Sequence, residues 1–146
     1  MTAEVKMRTL AKADATLQGI FGTGPFRWFD VQLPPGYIDK GPCARVRRLA
    51  TTFIYCQEGL NRLNNPRFQL DVLAATPTQA FDAAAAIINW LGTVDFASND
   101  QFMSPPVTPT QCPNFVISQR AGLDYQLDPP VPVVSIDFRI WNVDIN

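Results

Sequence analysis

"RFQLDVLAATPTQAFDAAAAIINWLG" (Arg67–Gly92) changes its period halfway along. Up to Ala74 the apolar residues alternate: Phe68, Leu70, Val72 and Ala74 fall on one side, Arg67, Gln69 and Asp71 on the other. Period two with one polar side predicts a half-buried strand. Thr76 is then a good N-cap, Pro77 suits the first helical position, and Gln79 completes a capping box. Beyond it Ala80, Phe81, Ala84, Ile87, Ile88 and Leu91 recur every three or four residues, which predicts a helix with a buried stripe. Gly92 is the expected stop. The alanines Ala83–Ala86 slim this helix, so that it can lie close to a sheet or to a neighbouring subunit.

Other segments follow the same logic. Met7, Leu10, Ala13, Leu17 and Ile20 predict an apolar helix face over 4–21, stopped by Gly22 and Gly24. "FRWFDVQL" (Phe26–Leu33) reads as a short aromatic strand, and "PPGYIDKGP" (Pro34–Pro42) as a turn-rich connection. "ARVRRLATTFIYC" (Ala44–Cys56) is β-rich with apolar members on both sides, as in a strand covered on both faces. Gln57–Pro66 reads as a hairpin connection. Ser98–Asn114, with four prolines, is expected to be irregular. "FVISQRA" (Phe115–Ala121) and "VVSIDFRIWNV" (Val133–Val143) read as strands, the second with Val134, Ile136, Phe138 and Ile140 inward and Ser135, Asp137, Arg139 and Trp141 outward. The expected fold is α+β, one domain over 1–146: a mostly antiparallel β-sheet with two α-helices packed on one face.

The 146 residues suffice for one ordinary domain with its own core. A net charge of −1 does not indicate a basic face for DNA or a membrane surface, and no run approaches the roughly 18 apolar residues of a membrane span. The N-terminus lacks the continuous apolar run of a signal peptide. Only 17% of residues are charged, which suggests a neutral polar surface or one hidden against partners. There is no histidine, which removes the commonest general base and the commonest metal ligand. Cys43, Cys56 and Cys112 have no metal-ligand spacing and read as reduced thiols.

Candidates for chemistry each have a plainer reading. "GIFGTG" (Gly19–Gly24) looks like a phosphate loop but follows a helix instead of preceding one, and so reads as a helix stop. Asp95 with Asp100, and Asp124 with Asp128, are carboxylate pairs in or beside loops, where acidic residues mostly make turns. Cys43 near Arg45 would need activation by arginine alone. No catalytic, cofactor or metal site is assigned. Arg45 and Arg47 share one side of their strand and Arg48 the other; the two invite salt bridges to an adjoining subunit. Trp28 and Trp141 are read as outward aromatics of the kind enriched at interfaces. The expected subunit or partner interface is therefore Trp28, Arg45, Arg47, Asp137, Arg139 and Trp141.

The layout resembles the tail terminator (tail completion) proteins of long-tailed bacteriophages and related prophage particles. The resemblance lies in the N-terminal helix ending in "ATLQGIFGTG", a strand-rich middle, "RFQLDVLAATPTQAFDAAAAIINWL", and "GLDYQLDPPVPVVSIDFRIWNV", in which an Asp- and Pro-rich turn leads into a final S-x-D-F-R-x-W strand. It implies a structural virion protein without enzymatic activity or cofactor. Such a protein forms a homo-oligomeric, hexameric ring at the head-proximal end of the tail tube. Its partners would be the tail tube protein and the head–tail connector, with DNA only passing through the lumen and no membrane contact. It would assemble in the host cytoplasm and reside in the virion. Another neck or tail-tube component, or a small ligand-binding α+β domain, are the competing readings.

Overall fold

The computed structural model describes residues 3–30, 33–34, 36–56, 59–94, 114–125, 129–140 and 142–143. The quoted joint is a strand followed by a helix. Strand β3 (Gly59–Leu73) leads through Thr76 into a helix over Pro77–Leu91, the third of the chain and hence α3. Phe68, Leu70, Val72 and Ala74 are all fully buried on one side, as period two requires. Thr76 Oγ1 accepts the Gln79 N–H at 3.3 Å, and Pro77 occupies the first turn, where its missing donor is harmless. Gly92 caps the far end in ordinary helical backbone, φ −71°, so it stops the helix without a left-handed turn. The buried stripe of α3 is Ala80, Ala83, Ala84, Ile87, Trp90 and Leu91. Phe81, expected inside, is exposed, and Trp90 takes the interior place.

The first helix is broken. Helix α1 (Ala3–Ala13) buries Ala3, Met7 and Ala11 at a spacing of four; helix α2 (Ala15–Phe21) buries Leu17 and Phe21. Asp14 sits between them with extended backbone, and its Oδ1 accepts the Leu17 N–H at 3.1 Å. A short polar side chain that caps a new helix breaks the old one. The break also turns Ala13 outward, away from the expected stripe.

Six strands form one sheet. They are β1 (Trp28–Asp30), β2 (Cys43–Cys56), β3, β4 (Phe115–Asp124), β5 (Val131–Arg139) and β6 (Asn142–Val143). The order is β1-β2-β3-β5-β4, with β6 continuing alongside β3. The sheet is mixed: β1 runs parallel to β2, Trp28 beside Ala44, while every other pairing is antiparallel. A parallel neighbour needs a crossover of roughly a dozen residues, and residues 31–42, with a turn of 3-10 helix at Ile38–Lys40, supply it. Beyond β1, two boundaries differ from the sequence expectation. Gly59 and Asn64–Asn65–Pro66 do not open the chain into a connection; they pair with β2 as the start of β3. The terminal strand is interrupted at Ile140, giving β5 and β6. The proline-rich 98–114 segment lies outside the described residues up to 113.

All three helices cover one side of the sheet. Ala44, Val46, Phe68, Leu70, Val72, Val134, Ile136 and Phe138 share one core with the buried residues of α1, α2 and α3. Its aromatic centre is Trp28, stacked on Phe26 at 5.9 Å and edge-on to Phe21 at 5.7 Å and Trp90 at 6.1 Å. Arg48 crosses to this side, pairs with Glu4 of α1 at 2.9 Å and lies over the Phe68 ring. The other side of the sheet carries no helix.

Candidate functional site on the uncovered sheet face

The pairing register assembles the uncovered face. One row across the sheet reads Arg45, Asp71, Ser135, Arg120; the next reads Arg47, Gln69, Asp137, Ser118; Arg67 and Arg139 follow. Four strands with a polar residue at every second position thus put charged groups side by side, since directly opposed side chains stand about 5 Å apart.

Asp71 is the hub. It is 1% exposed. Its Oδ2 accepts from Arg45 Nη2 at 2.8 Å, Arg45 Nε at 3.2 Å and Arg47 Nη2 at 3.3 Å. Its Oδ1 accepts from Ser135 Oγ at 2.7 Å and Gln69 Nε2 at 2.8 Å. Burial pushes this carboxyl up, but the hydrogen bonds from Gln69, Ser135 and Arg45, with the Arg45 charge, outweigh it and hold it below the ordinary aspartate value. Arg45 also lies 3.3 Å from Asp124 at the end of β4. These groups, with Leu123, Tyr125 and Val133, line an open groove of about 320 Å³.

Asp137 anchors a second cluster. Arg67 Nη2 donates to its Oδ2 at 3.2 Å, Ser118 Oγ donates to the same atom at 3.4 Å, and Arg120 stands 3.8 Å from Oδ1. Arg139 Nη1 donates to Asn65 Oδ1 at 3.2 Å. The face therefore holds five arginines against three aspartates, with the carboxylates buried beneath partly exposed guanidinium groups.

Of the six residues expected at an interface, Arg45, Arg47, Asp137 and Arg139 come together on this one face. Two corrections apply. Trp28 is not outward: at 1% exposure it is the centre of the core, because α2 and α3 cover its side of β1. Arg45 and Arg47 do not await carboxylates from a neighbour; Asp71 and Asp124 of the same chain hold them. Asp137 points to the uncovered side as expected, yet its neighbours bury it. Trp141 lies outside the described residues, as do Asp95, Asp100 and Asp128. Sequence reasoning placed Asp71 on the polar side of its strand but missed it as the hub. The available signal was an aspartate inside a strand, where acidic residues are depleted unless something pairs with them.

Catalytic alternatives find little support in the geometry. Cys43 is buried, and burial raises its thiol to about 11 against the lowering influence of Arg27, so it stays protonated and unreactive at neutral pH. Among the described residues no three Cys, Asp or Glu side chains converge as a metal site would need. A cleft of about 430 Å³ between the 33–39 loop, Ala75 and 129–132 is walled largely by prolines and aliphatic groups, with Asp39 its one ionisable side chain. No helix among the described residues is long and apolar enough to cross a membrane. No protein-family model matches the chain, and no curated protein matches it significantly.

Proposed function

We propose that the protein is a structural subunit of a phage-type particle, forming a hexameric ring at the head-proximal end of the tail tube that ends tube polymerisation and joins the tail to the head connector. The observation that carries this reading is the uncovered sheet face. It is broad, polar and rigidly braced from beneath by Asp71 and Asp137, and its arginine heads remain partly accessible. A pre-organised flat surface of this kind suits protein contact, where fixed side chains lower the ordering cost of association. Arginine is also the charged residue most enriched at such contacts.

The mechanism is geometric. A ring whose one face matches the last ring of the tube, and whose other face does not, removes the growing surface of the polymer. Six copies make modest single contacts sufficient. The resemblance in sequence layout supports the same role, and a neighbouring neck component would use the same surface.

The test is to mix the purified protein with purified tail tubes and to follow mass by light scattering and tube ends by negative-stain microscopy. The expected result is a six-copy ring, free or on one end of the tube, and arrest of tube growth. A protein that stays monomeric and leaves tube ends bare and growing overturns the proposal. Arg47→Glu combined with Arg139→Glu is expected to abolish end binding while the monomer still unfolds cooperatively.

A further inference from the structure

Strand β4 ends the sheet, and among the described residues nothing pairs with its outer edge. An edge strand presents a row of open N–H and C=O groups, a template for another strand. From Ser118 to Asp124 its register with β5 is unbroken, the bulge between Val116 and Ser118 lying at its start. The opposite side of the sheet is less inviting. There β1 spans three residues, and its Trp28 carbonyl already accepts from Arg8 Nε at 3.2 Å. Past β1, the open part of β2 carries Arg47 and Arg48 and no carboxylate through Cys56.

The composition of β4 is self-complementary. Ser118, Arg120, Gly122 and Asp124 face the uncovered side, opposite Asp137, Ser135, Val133 and Val131 of β5; Gln119, Ala121 and Leu123 face the helix side. If the strand is rotated by 180° about Gly122 and laid against itself, Arg120 falls opposite Asp124, Ala121 opposite Leu123, Gln119 opposite Tyr125, and Gly122 opposite Gly122. Opposite charges directly across an antiparallel pair are stabilising and like charges are not, so this register is selected over its neighbours. Arg120 is placed to serve it: its side chain is 60% exposed and reaches Asp137 only at 3.8 Å. Leu123 and Tyr125, 46% and 77% exposed, would gain cover. Gly122 leaves room at the axis, since a Cβ there would meet nothing within 4 Å.

We infer that β4 is a strand-pairing site for a second copy of this chain, joined antiparallel about a twofold axis at Gly122 and keyed by reciprocal Arg120–Asp124 pairs. This does not rest on the ring reading. A twofold contact closes on itself and cannot pass from neighbour to neighbour around a sixfold ring. It joins two protomers, or two rings face to face.

The experiment is disulfide trapping in the full chain. Directly opposed residues of an antiparallel pair have Cα atoms roughly 4.5–5.5 Å apart, within disulfide range. Gly122→Cys is expected to form a covalent dimer under mild oxidation. Arg120→Cys, whose counterpart would stand roughly 13 Å away at 3.4 Å per residue, is expected to match the wild-type background. In sedimentation, Leu123→Lys, an exposed site that should leave folding intact, is expected to weaken dimerisation at least tenfold. Gly122→Cys that cross-links no faster than Arg120→Cys, or a Leu123→Lys protein that self-associates like wild type, overturns the inference. Either result leaves tube capping, the test of the ring reading, untouched.

Discussion

Replacing Asp71 by alanine should be among the most damaging single changes on the uncovered face. The substitution removes the acceptor for five donated hydrogen bonds and leaves Arg45, with 17% of its side chain exposed, facing a buried void. Breaking a buried ion pair by removing one partner costs roughly 3–5 kcal/mol, because the remaining charge is uncompensated. Two features place this case at the lower end: Arg45 keeps Asp124 at 3.3 Å, and Arg47, 44% exposed, can turn to water. The expected loss is about 3 kcal/mol, which for a chain of this length lowers Tm by roughly 6–12 °C. Arg45→Met should cost less, since Asp71 retains Gln69 and Ser135, and Arg47→Met under about 1 kcal/mol, as for half-exposed pairs generally. The assay is urea unfolding followed by tryptophan fluorescence, reporting from the Trp28–Trp90 pair in the core. An Asp71→Ala loss no larger than that of Arg47→Met would refute the assignment of Asp71 as hub.

The same residue fixes a pH signature. Its folded-state carboxyl lies below the ordinary value, so the unfolded chain binds its proton first as pH falls. The stabilisation from Asp71 is therefore complete above the unfolded aspartate value, about 3.9, and declines as pH drops through the folded one. Asp71→Asn should flatten that part of the acid limb, and a wild-type limb that is superimposable on it would contradict the hydrogen-bond account.

Three further expectations come from elsewhere in the fold. Arg27 is clamped by two left-handed glycines: its Nε donates to Pro42 O at 2.9 Å and its Nη2 to Ile20 O at 2.8 Å, while a Cβ on Gly41 (φ 137°) would lie 2.7 Å from Nη2. Gly41→Ala should cost roughly 2–4 kcal/mol, from backbone strain plus the displaced hydrogen bonds, and should add little to Arg27→Ala in a double-mutant cycle by chemical denaturation. Cys43 should resist alkylation at pH 8 in the native protein and react only on unfolding, read by peptide mass spectrometry at that residue; rapid native labelling would contradict its buried, raised thiol. Trp28→Ala should cost roughly 3–5 kcal/mol as a core aromatic deletion in equilibrium unfolding, whereas a surface tryptophan at an interface would leave the monomer's stability nearly unchanged.

What was legible in the sequence follows from how local each signal is. The strand-to-helix joint at Thr76 depends on period, a cap and a proline within a few residues, and it stands as read. The inward set Phe68, Leu70, Val72, Val134, Ile136 and Phe138 likewise depends on alternation alone. The misreadings share a different cause. Trp28 sits in a three-residue strand, too short for alternation to assign a side, and its cover comes from Phe21 and Trp90, at sequence separations no local pattern reports. The break at Asp14 was hidden because apolar spacing continues across it, while a capping side chain decided the backbone. Asn64–Asn65–Pro66 carries turn residues but sits where β2 and β6 flank it, and tertiary pairing overrode propensity. The uncovered face is the instructive case. Arg45, Asp71, Ser135 and Arg120 come from four strands, and each alone reads as an ordinary outward polar residue. Only the register puts them in one row, which turns scattered surface charge into a braced surface. A one-residue slip of β3 against β5 would send Asp71 into the apolar core and Val72 to the polar side, so the buried carboxylate penalises the wrong register as strongly as the apolar set rewards the right one. The network that braces the candidate interface is thus also a determinant of the fold that displays it.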